Sequence, residues 1–238
     1  MFLPQLRASL QFFWRYLTPL LGRLLPVLLP LLLLVNYRFF FVLGADNEKA
    51  MQDPLSLLLQ MLAGLAGSAL AMVYTVAVLQ GGDTTPATLW RRALPRLPAL
   101  FLVQIFAGVA IVLGLLALIL PGLYLIGVLL PAYVLVVEEK QSALDALRHA
   151  WQRFRVRPWE LAASFCFVLS VLLMVLSGLG ALEKLLEGAE LAVRMAAATG
   201  LDVIGQLFSQ LIAILLVHAW FAAALDDKQK GEKGATSV

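Results

Sequence analysis

The chain has 238 residues, 61% of them hydrophobic and only 14% charged, and its mean hydropathy is +0.89. Soluble domains carry roughly 25% charged residues, so this composition excludes an ordinary water-soluble core. The net charge of +3 is small and the basic residues lie in short clusters between apolar blocks, which argues against nucleic acid as a partner.

Six apolar segments are each about as long as a helical bilayer crossing, which takes ~20 residues. They run from Leu17 to Val42, Leu55 to Leu79, Pro98 to Leu120, Gly122 to Val137, Trp159 to Leu182 and Leu201 to Leu225. Their apolar residues do not alternate with polar ones, which predicts helices rather than barrel strands. We therefore expect an all-α integral membrane protein, with a polytopic domain over residues 1–226 and a short polar tail over 227–238.

The arm before the first crossing is predicted to form an amphipathic helix that ends at Pro19. Its apolar face consists of Leu6, Leu10, Phe13 and Leu17. Arg7 and Arg15 lie on its other faces.

The second connection is predicted to form a short basic helix on the membrane surface, which we call an elbow. Thr85 is the expected N-cap, Pro86 occupies the first turn, and Pro98 precedes the next crossing. The apolar residues of this elbow are Trp90, Leu94 and Leu97, and the basic ones are Arg91, Arg92 and Arg96.

The fourth connection repeats this plan. Ser142, with Asp145 three residues later, forms a capping-box pattern, and Pro158 is expected to end the helix. The apolar residues at helical spacing are Leu144, Leu147, Trp151 and Phe154, and the basic ones include Arg148, Arg153, Arg155 and Arg157. With the arm as a third copy, three units of elbow plus hairpin would account for the chain.

Orientation follows from the positive residues, which resist translocation and stay on the cytoplasmic side. Fourteen lysines and arginines fall in the arm, the second and fourth connections and the tail, whereas four fall in the remaining connections. This asymmetry predicts that both termini are cytoplasmic. The external turn between the third and fourth crossings is predicted at Leu120-Pro121-Gly122.

The basic elbows are candidate binding surfaces for anionic lipid, because each cation near the surface contributes about 1 kcal/mol of attraction. The candidate contacts are Arg91, Arg92, Arg96, Arg148, Trp151, Arg153, Arg155 and Arg157. The alternative is ordinary anchoring of the helices by positive residues. Membrane lipids are thus the expected partners, and the sequence specifies no protein partner.

A second set of candidates is the deep polar residues Gln60, Gln104, Gln206 and Gln210, which could hydrogen-bond neighbouring helices. Gln104, Gln206 and Gln210 could instead line a polar cavity for a lipid headgroup or a small solute. Asp202 is expected at the end of a crossing, where water and headgroups reach it.

Catalytic patterns are absent from the sequence. Cys166 is the only cysteine, and His149 and His218 lack metal-ligand spacing, so no metal, cofactor or nucleophilic site is expected. An enzyme would need ionisable residues that converge at the cytoplasmic face, for example Glu138, Glu139, Arg148 and His149.

One stretch carries a family resemblance. From residue 119 to 172 the chain has Leu120-Pro121-Gly122-Leu123-Tyr124, a helix ending near Glu138, then Ala146-Leu147-Arg148 and Trp151. This order resembles the YciC-like bacterial inner-membrane proteins and the membrane domain attached to some glycerophosphodiester phosphodiesterases. The resemblance implies a six-helix inner-membrane protein and supplies no catalytic residues.

The expectation from the sequence is thus a non-enzymatic protein of the bacterial inner membrane with a role in envelope or lipid homeostasis. The alternative is a transporter or lipid-moving protein with a cavity between its helical hairpins.

Overall fold

The computed structural model describes residues 2–44, 53–155, 158–185 and 190–235. Over these ranges the chain is built from α-helices and contains no strand. The helices are α1 (Phe2–Tyr37), α2 (Pro54–Leu79), α3 (Pro86–Ala93), α4 (Leu97–Ala117), α5 (Ile119–Leu129), α6 (Ala132–Glu138), α7 (Ala143–Phe154), α8 (Pro158–Leu185) and α9 (Leu191–Ala235). A π-helical turn, Arg38–Val42, follows α1, and a 3-10 turn, Leu94–Arg96, joins α3 to α4.

Five helical stretches are long and apolar enough to cross a membrane. They are Pro54–Leu79, Pro86–Ala117, Ile119–Glu138, Pro158–Val175 and Val193–Ala224. Leu6–Pro26 and Leu28–Val42 together would make a sixth span, with a bend of 57° between them. The prediction of an all-α membrane protein with about six transmembrane helices is confirmed.

The amino-terminal arm differs from its prediction. The helix does not end at Pro19 but continues to Tyr37, and its bend falls after Pro26. Pro19, Pro26 and Pro30 each remove a backbone hydrogen bond from this helix, and the bend of 57° lies between Pro26 and Leu28. The arm and the first crossing are therefore one bent helix instead of two separate helices.

The hairpin of α4 and α5 reverses earlier than predicted. Leu118 is extended, with φ −166° and ψ 147°, so the turn lies there and the Leu120-Pro121-Gly122 motif lies in the first turns of α5. Close packing explains the motif's glycine, because a Cβ on Gly122 would lie 2.7 Å from the backbone nitrogen of Leu115. The reversal therefore depends on glycine for helix contact and not for turn conformation.

Two further helix boundaries differ from the prediction and determine where candidate site residues lie. The fourth crossing is broken into α5 and α6 at Leu130 and Pro131. The last helix, α9, begins at Leu191, ten residues before the predicted start, so Asp202 lies well inside the helix and not at its end. The helix also continues through the predicted polar tail to Ala235.

Burial is concentrated at one end of the helical bundle. On α2, residues 69–77 are all buried, whereas Leu55 and Leu58 nearer its start are exposed. The short helix α6 is the most enclosed, since Val134 and Val136 are fully buried. Elsewhere the helices expose large apolar side chains such as Leu113, Leu116 and Met174, and lipid tails can cover them because they are as apolar as leucine.

Candidate functional site

The elbow α7 begins with the cap that the sequence predicts. Ser142 Oγ accepts a hydrogen bond from the backbone nitrogen of Asp145 at 3.3 Å, and the same hydroxyl donates to Asp145 Oδ2 at 2.6 Å. The predicted apolar residues divide between two sides of the helix. The buried residues are Ala143, Ala146, Ala150 and Phe154, whereas Leu144 and Trp151 are exposed.

The elbow α3 begins differently from its prediction. Thr85 occupies the N-cap position but makes no capping hydrogen bond from its side chain. Asp83 organises the turn instead, because its carboxylate accepts from the Thr85 nitrogen at 2.8 Å and from the Thr88 hydroxyl at 2.8 Å. These hydrogen bonds lower the pKa of the Asp83 carboxyl, with the backbone hydrogen bond from Thr85 as the largest cause.

At an offset of 57 positions the two elbows have the same burial at most aligned positions, although Pro86 and Ala143, Thr88 and Asp145, and Leu97 and Phe154 differ. The N-caps Thr85 and Ser142 correspond. The buried pairs are Leu89 with Ala146 and Ala93 with Ala150, the exposed pairs are Arg91 with Arg148 and Leu94 with Trp151, and the half-buried pairs are Trp90 with Leu147 and Arg96 with Arg153. This correspondence supports a repeated unit for α3 and α7.

The outer face of each elbow combines a basic with an apolar side chain. On the first elbow these are Arg91 of α3 and Leu94 of the following 3-10 turn, and on α7 they are Arg148 and Trp151. Leu94 is 53% exposed and Trp151 41% exposed, so neither side chain is absorbed by the protein core. An exposed apolar residue beside an arginine is the arrangement by which an interfacial helix contacts headgroups and acyl chains together.

An aromatic cluster extends the outer face of α7 towards neighbouring helices. The Tyr124 ring lies 5.9 Å from Trp151 and 6.2 Å from Trp159, both edge-on. Trp159 is 51% exposed at the start of α8. Tyrosine and tryptophan are enriched where lipid meets water, so the cluster fits a membrane interface.

Glu139 joins α7 to the rest of the bundle. Its Oε1 accepts from Arg153 Nη1 at 3.4 Å and from Trp220 Nε1 at 3.1 Å, and its Oε2 accepts from Gln141 Nε2 at 2.6 Å. The Gln141 amide also contacts His149 Nδ1 at 2.9 Å. Arg153 is therefore paired with Glu139, and Glu139 and His149 each have polar partners in the protein.

The remaining basic candidates have separate environments. Arg92 is exposed and within electrostatic reach of Glu138, while Arg96 is half-buried. Arg155 is exposed, and Arg157 lies outside the described residues. Of the predicted lipid contacts, Arg91, Arg92, Arg148, Trp151 and Arg155 are exposed, and among the arginines Arg91 and Arg148 occupy matching positions on the two elbows with an exposed apolar residue three positions later.

Both elbows lie at one end of the bundle. The Trp220–Glu139 hydrogen bond places the later part of α9 beside the end of α6. Arg23 Nη2 on α1 donates to Thr84 Oγ1 at 3.1 Å, just before α3. At the opposite end, Arg38 Nη2 lies 3.0 Å from Asp53 Oδ2 and so joins the end of α1 to the start of α2.

The four glutamines do not converge on one site. Gln104 lines a cavity of about 240 Å³. Gln206 and Gln210 line a separate cavity of about 10 Å³ on the other side of α9. Gln60 is exposed on the outer face of α2.

The larger cavity lies where five helices meet. It is lined by Gly64, Leu65, Ser68, Met72, Gln104, Leu130, Tyr133, Phe165, Ser209, Ile212, Ala213 and Leu216. The Ser68 and Ser209 hydroxyls are 3.1 Å apart and bridge α2 to α9 at its wall. Tyr133, beside the break between α5 and α6, is a polar lining residue that the sequence did not reveal, because its position depends on that break.

Across the described ranges no group of three His, Cys, Asp or Glu side chains could hold a metal ion. No protein-family model, no curated protein and no solved structure matches the chain. The long apolar helices alone define the class of this protein, which is a multi-pass helical membrane protein.

Proposed function

We propose that this chain is a non-enzymatic protein of the bacterial inner membrane that binds anionic lipid on its two elbows and supports envelope or lipid homeostasis. Both termini would face the cytoplasm, because the arm, the elbow connections and the tail carry most of the positive residues. The resemblance of residues 119–172 to YciC-like proteins supports the same membrane.

One observation carries the proposal. Each elbow exposes an arginine with an apolar side chain three residues later, Arg91 with Leu94 and Arg148 with Trp151, although the two helices begin with different capping interactions. Positive-inside anchoring needs charge alone. An apolar side chain kept exposed beside each arginine favours contact with a lipid molecule.

Native mass spectrometry of the purified chain in mild detergent tests the proposal, with phosphatidylglycerol and phosphatidylcholine as probes. The wild type should retain more phosphatidylglycerol than phosphatidylcholine. Arg91→Gln with Arg148→Gln removes about 2 kcal/mol of attraction, which corresponds to about 30-fold weaker binding.

The matched control is Arg91→Lys with Arg148→Lys, which keeps both charges and should retain most of the preference. Equal retention of the two lipids by the wild type would contradict the proposal. An unchanged preference in the double glutamine variant would also contradict it.

A second candidate function, movement of lipid across the membrane, is favoured by the 240 Å³ cavity beside the broken α5–α6 span. Transporters commonly place their sites where discontinuous helices meet polar side chains. The serine pair and Gln104 would contact the polar part of a lipid, and Leu130 and Phe165 its apolar part.

Vesicles reconstituted with the protein and a fluorescent lipid test this second candidate. Gly64 lines the cavity, and a Cβ added to it would meet no atom within 4 Å. The first atom of a side chain at this position therefore has room, and Gly64→Leu should occupy part of the cavity and slow lipid movement at least about tenfold. Gln60→Leu on the outer face is the control and should leave the rate unchanged. Movement no faster than in protein-free vesicles would reject this function.

A further inference from the structure

The amino-terminal arm of α1 has the same burial pattern as the two elbows. Residues 9–18 match residues 89–98 at every position except Phe12, with each side chain buried, half-buried or exposed in the same way. Against residues 146–155, only Phe12 and Leu17 differ. Trp14 takes the position of Leu94 and Trp151, and it is 70% exposed. The arm therefore has the form of a third elbow, although its helix continues without a break into the first span.

Aromatic contacts place the arm at the elbow end of the bundle. The Tyr16 ring lies 6.4 Å from the Tyr74 ring, near the end of α2, and the Phe12 ring lies 5.4 Å from the His218 ring. His218 is two residues before Trp220, which marks the elbow end of α9. The bend of 57° inclines residues 6–26 to the rest of α1. The arm therefore runs at an angle to the span that follows it, at the same end as α3 and α7.

The outer face of the arm is basic. Arg7, Gln11 and Arg15 recur at intervals of four residues, so they lie along one side of the helix, and all three are exposed. Gln11 takes the position of Arg91 and Arg148, and the two arginines of the arm flank it by one turn on either side. Within the described ranges neither of them is paired with a carboxylate, and α1 contains no acidic residue. The positive charge of this face therefore has no counter-ion from its own helix.

An open groove lies along this face. It measures about 570 Å³ and is lined by Leu6, Arg7, Leu10, Gln11 and Trp14. Sites for small molecules measure about 300–1,000 Å³, so the groove has room for a lipid headgroup and the first part of its acyl chains. The guanidinium and the amide can donate hydrogen bonds to phosphate oxygens, and the leucines and the indole can pack on hydrocarbon. The lining therefore suits an amphiphile that carries a phosphate.

The position and the charge of the face select an anionic lipid. The arm leads into a span, and an exposed tryptophan beside arginine is typical of helices at the level of lipid headgroups. A zwitterionic headgroup carries a positive group that the arginines repel. An anionic headgroup instead binds about fivefold more tightly for each cation near the surface. The face therefore favours phosphatidylglycerol over phosphatidylcholine.

We propose that the outer face of the arm is a third lipid-binding surface, on which Arg7 and Gln11 contact the headgroup phosphate of an anionic lipid and Trp14 packs on its glycerol and acyl region. The proposal rests on the function proposed for the elbows, because it extends lipid binding from two surfaces to three. It uses different residues, so each surface can be tested separately.

Quenching of tryptophan fluorescence in vesicles tests the arm. The full chain is reconstituted into phosphatidylcholine with a rising fraction of phosphatidylglycerol, and one of the two lipids carries bromine on its acyl chains. The chain has five tryptophans, so the Trp14 signal is the difference between a protein and the same protein with Trp14→Phe. Brominated phosphatidylglycerol should quench Trp14 more strongly than brominated phosphatidylcholine at the same mole fraction.

Three variants, each measured with and without Trp14→Phe, locate the preference. Arg7→Gln should lower the association constant of phosphatidylglycerol relative to phosphatidylcholine at Trp14 about fivefold, because one cation is lost. Arg7→Lys is the matched control, since it keeps the charge and should retain most of the preference. Arg91→Gln with Arg148→Gln leaves the arm intact and should leave the Trp14 signal unchanged.

Three results would overturn the proposal. Equal quenching of wild-type Trp14 by the two lipids would show ordinary contact with the membrane only, and no quenching by either would place the arm in water. An unaltered preference in Arg7→Gln would exclude the arginine from the site.

The two lipid-binding proposals fail in different ways. If Arg91→Gln with Arg148→Gln loses phosphatidylglycerol in detergent but Trp14 shows no preference, the arm alone is rejected. If Trp14 shows the preference but that double variant retains phosphatidylglycerol as the wild type does, the elbows are rejected and the arm stands.

Discussion

The second span begins at a helix whose N-cap is Asp53. Its carboxylate caps α2 by accepting from the Ser56 nitrogen at 2.9 Å and from the Ser56 hydroxyl at 2.6 Å, and it pairs with Arg38. The Ser56 side-chain hydrogen bond is the largest cause that lowers the pKa of Asp53, followed by the one from Arg38. This arrangement could not be predicted from sequence, because Arg38 lies at the end of another helix.

A lowered pKa in the folded state makes stability depend on pH. The Asp53 charge stabilises the folded state above the ordinary carboxyl pKa of about 3.9. This stabilisation is lost as the pH falls through the lower pKa that Asp53 has in the folded protein. Asp53→Asn keeps a capping oxygen but removes the charge, so its Tm should be lower than that of the wild type at pH 7.

The difference in Tm between the wild type and Asp53→Asn should become smaller as the pH is lowered from about 5 towards about 3. Thermal unfolding at a series of pH values measures it. A gap that stays constant over the series would show that the Asp53 charge does not stabilise the fold.

Among the elements, the sequence predicts where the helix after Ser142 begins, but it does not say which side of that helix packs on the protein. The Ser142 cap and the helix after it are confirmed, and the structure adds that α7 buries Ala146 and Ala150 and exposes Leu144 and Trp151. In a membrane protein the surfaces that meet lipid and protein are both apolar. Small side chains, which allow close helix approach, therefore mark the protein-facing side better than large ones.

The contact between α5 and α8 also depends on a small residue that allows close helix approach, in this case a glycine. A Cβ on Gly127 would overlap the carbonyl oxygen of Pro158 and lie 2.7 Å from its carbonyl carbon. Backbone cannot move aside as a flexible side chain can, so Gly127→Ala should destabilise the fold by about 3 kcal/mol or more.

Gly108→Ala is the matched control, because nothing lies within 4 Å of its added Cβ. Unfolding of both variants in detergent, followed by fluorescence, measures the difference. Equal stability of Gly127→Ala and Gly108→Ala would contradict the close approach of α8 to α5.

At the scale of the whole molecule, the number and apolar character of the spans could be predicted from composition and run length. The bend of α1 could not, because Pro19, Pro26 and Pro30 offer three positions for one bend. The cavities could not be predicted either. Gln104 and Gln210 are both glutamines within predicted crossings, and the sequence gives no means to tell them apart. In the structure they line different cavities because of how the helices pack.

The structure also places the elbows and the start of α9 at opposite ends. Glu139, beside α7, meets Trp220 near the end of the last span, whereas Asp202 near its beginning meets Asn36. If the elbow end faces the cytoplasm, a residue on α7 and a residue before α9 must lie on different sides of the membrane.

Labelling of single cysteines with a membrane-impermeant maleimide in spheroplasts tests this account most directly. Cys166 is first replaced by serine, and Gln152→Cys on α7 is compared with Glu190→Cys before α9, both at exposed positions. With the elbows at the cytoplasmic face, Glu190→Cys should react in intact spheroplasts and Gln152→Cys only after permeabilisation. Labelling of Gln152→Cys in intact spheroplasts, or of both positions from the same side, would contradict it.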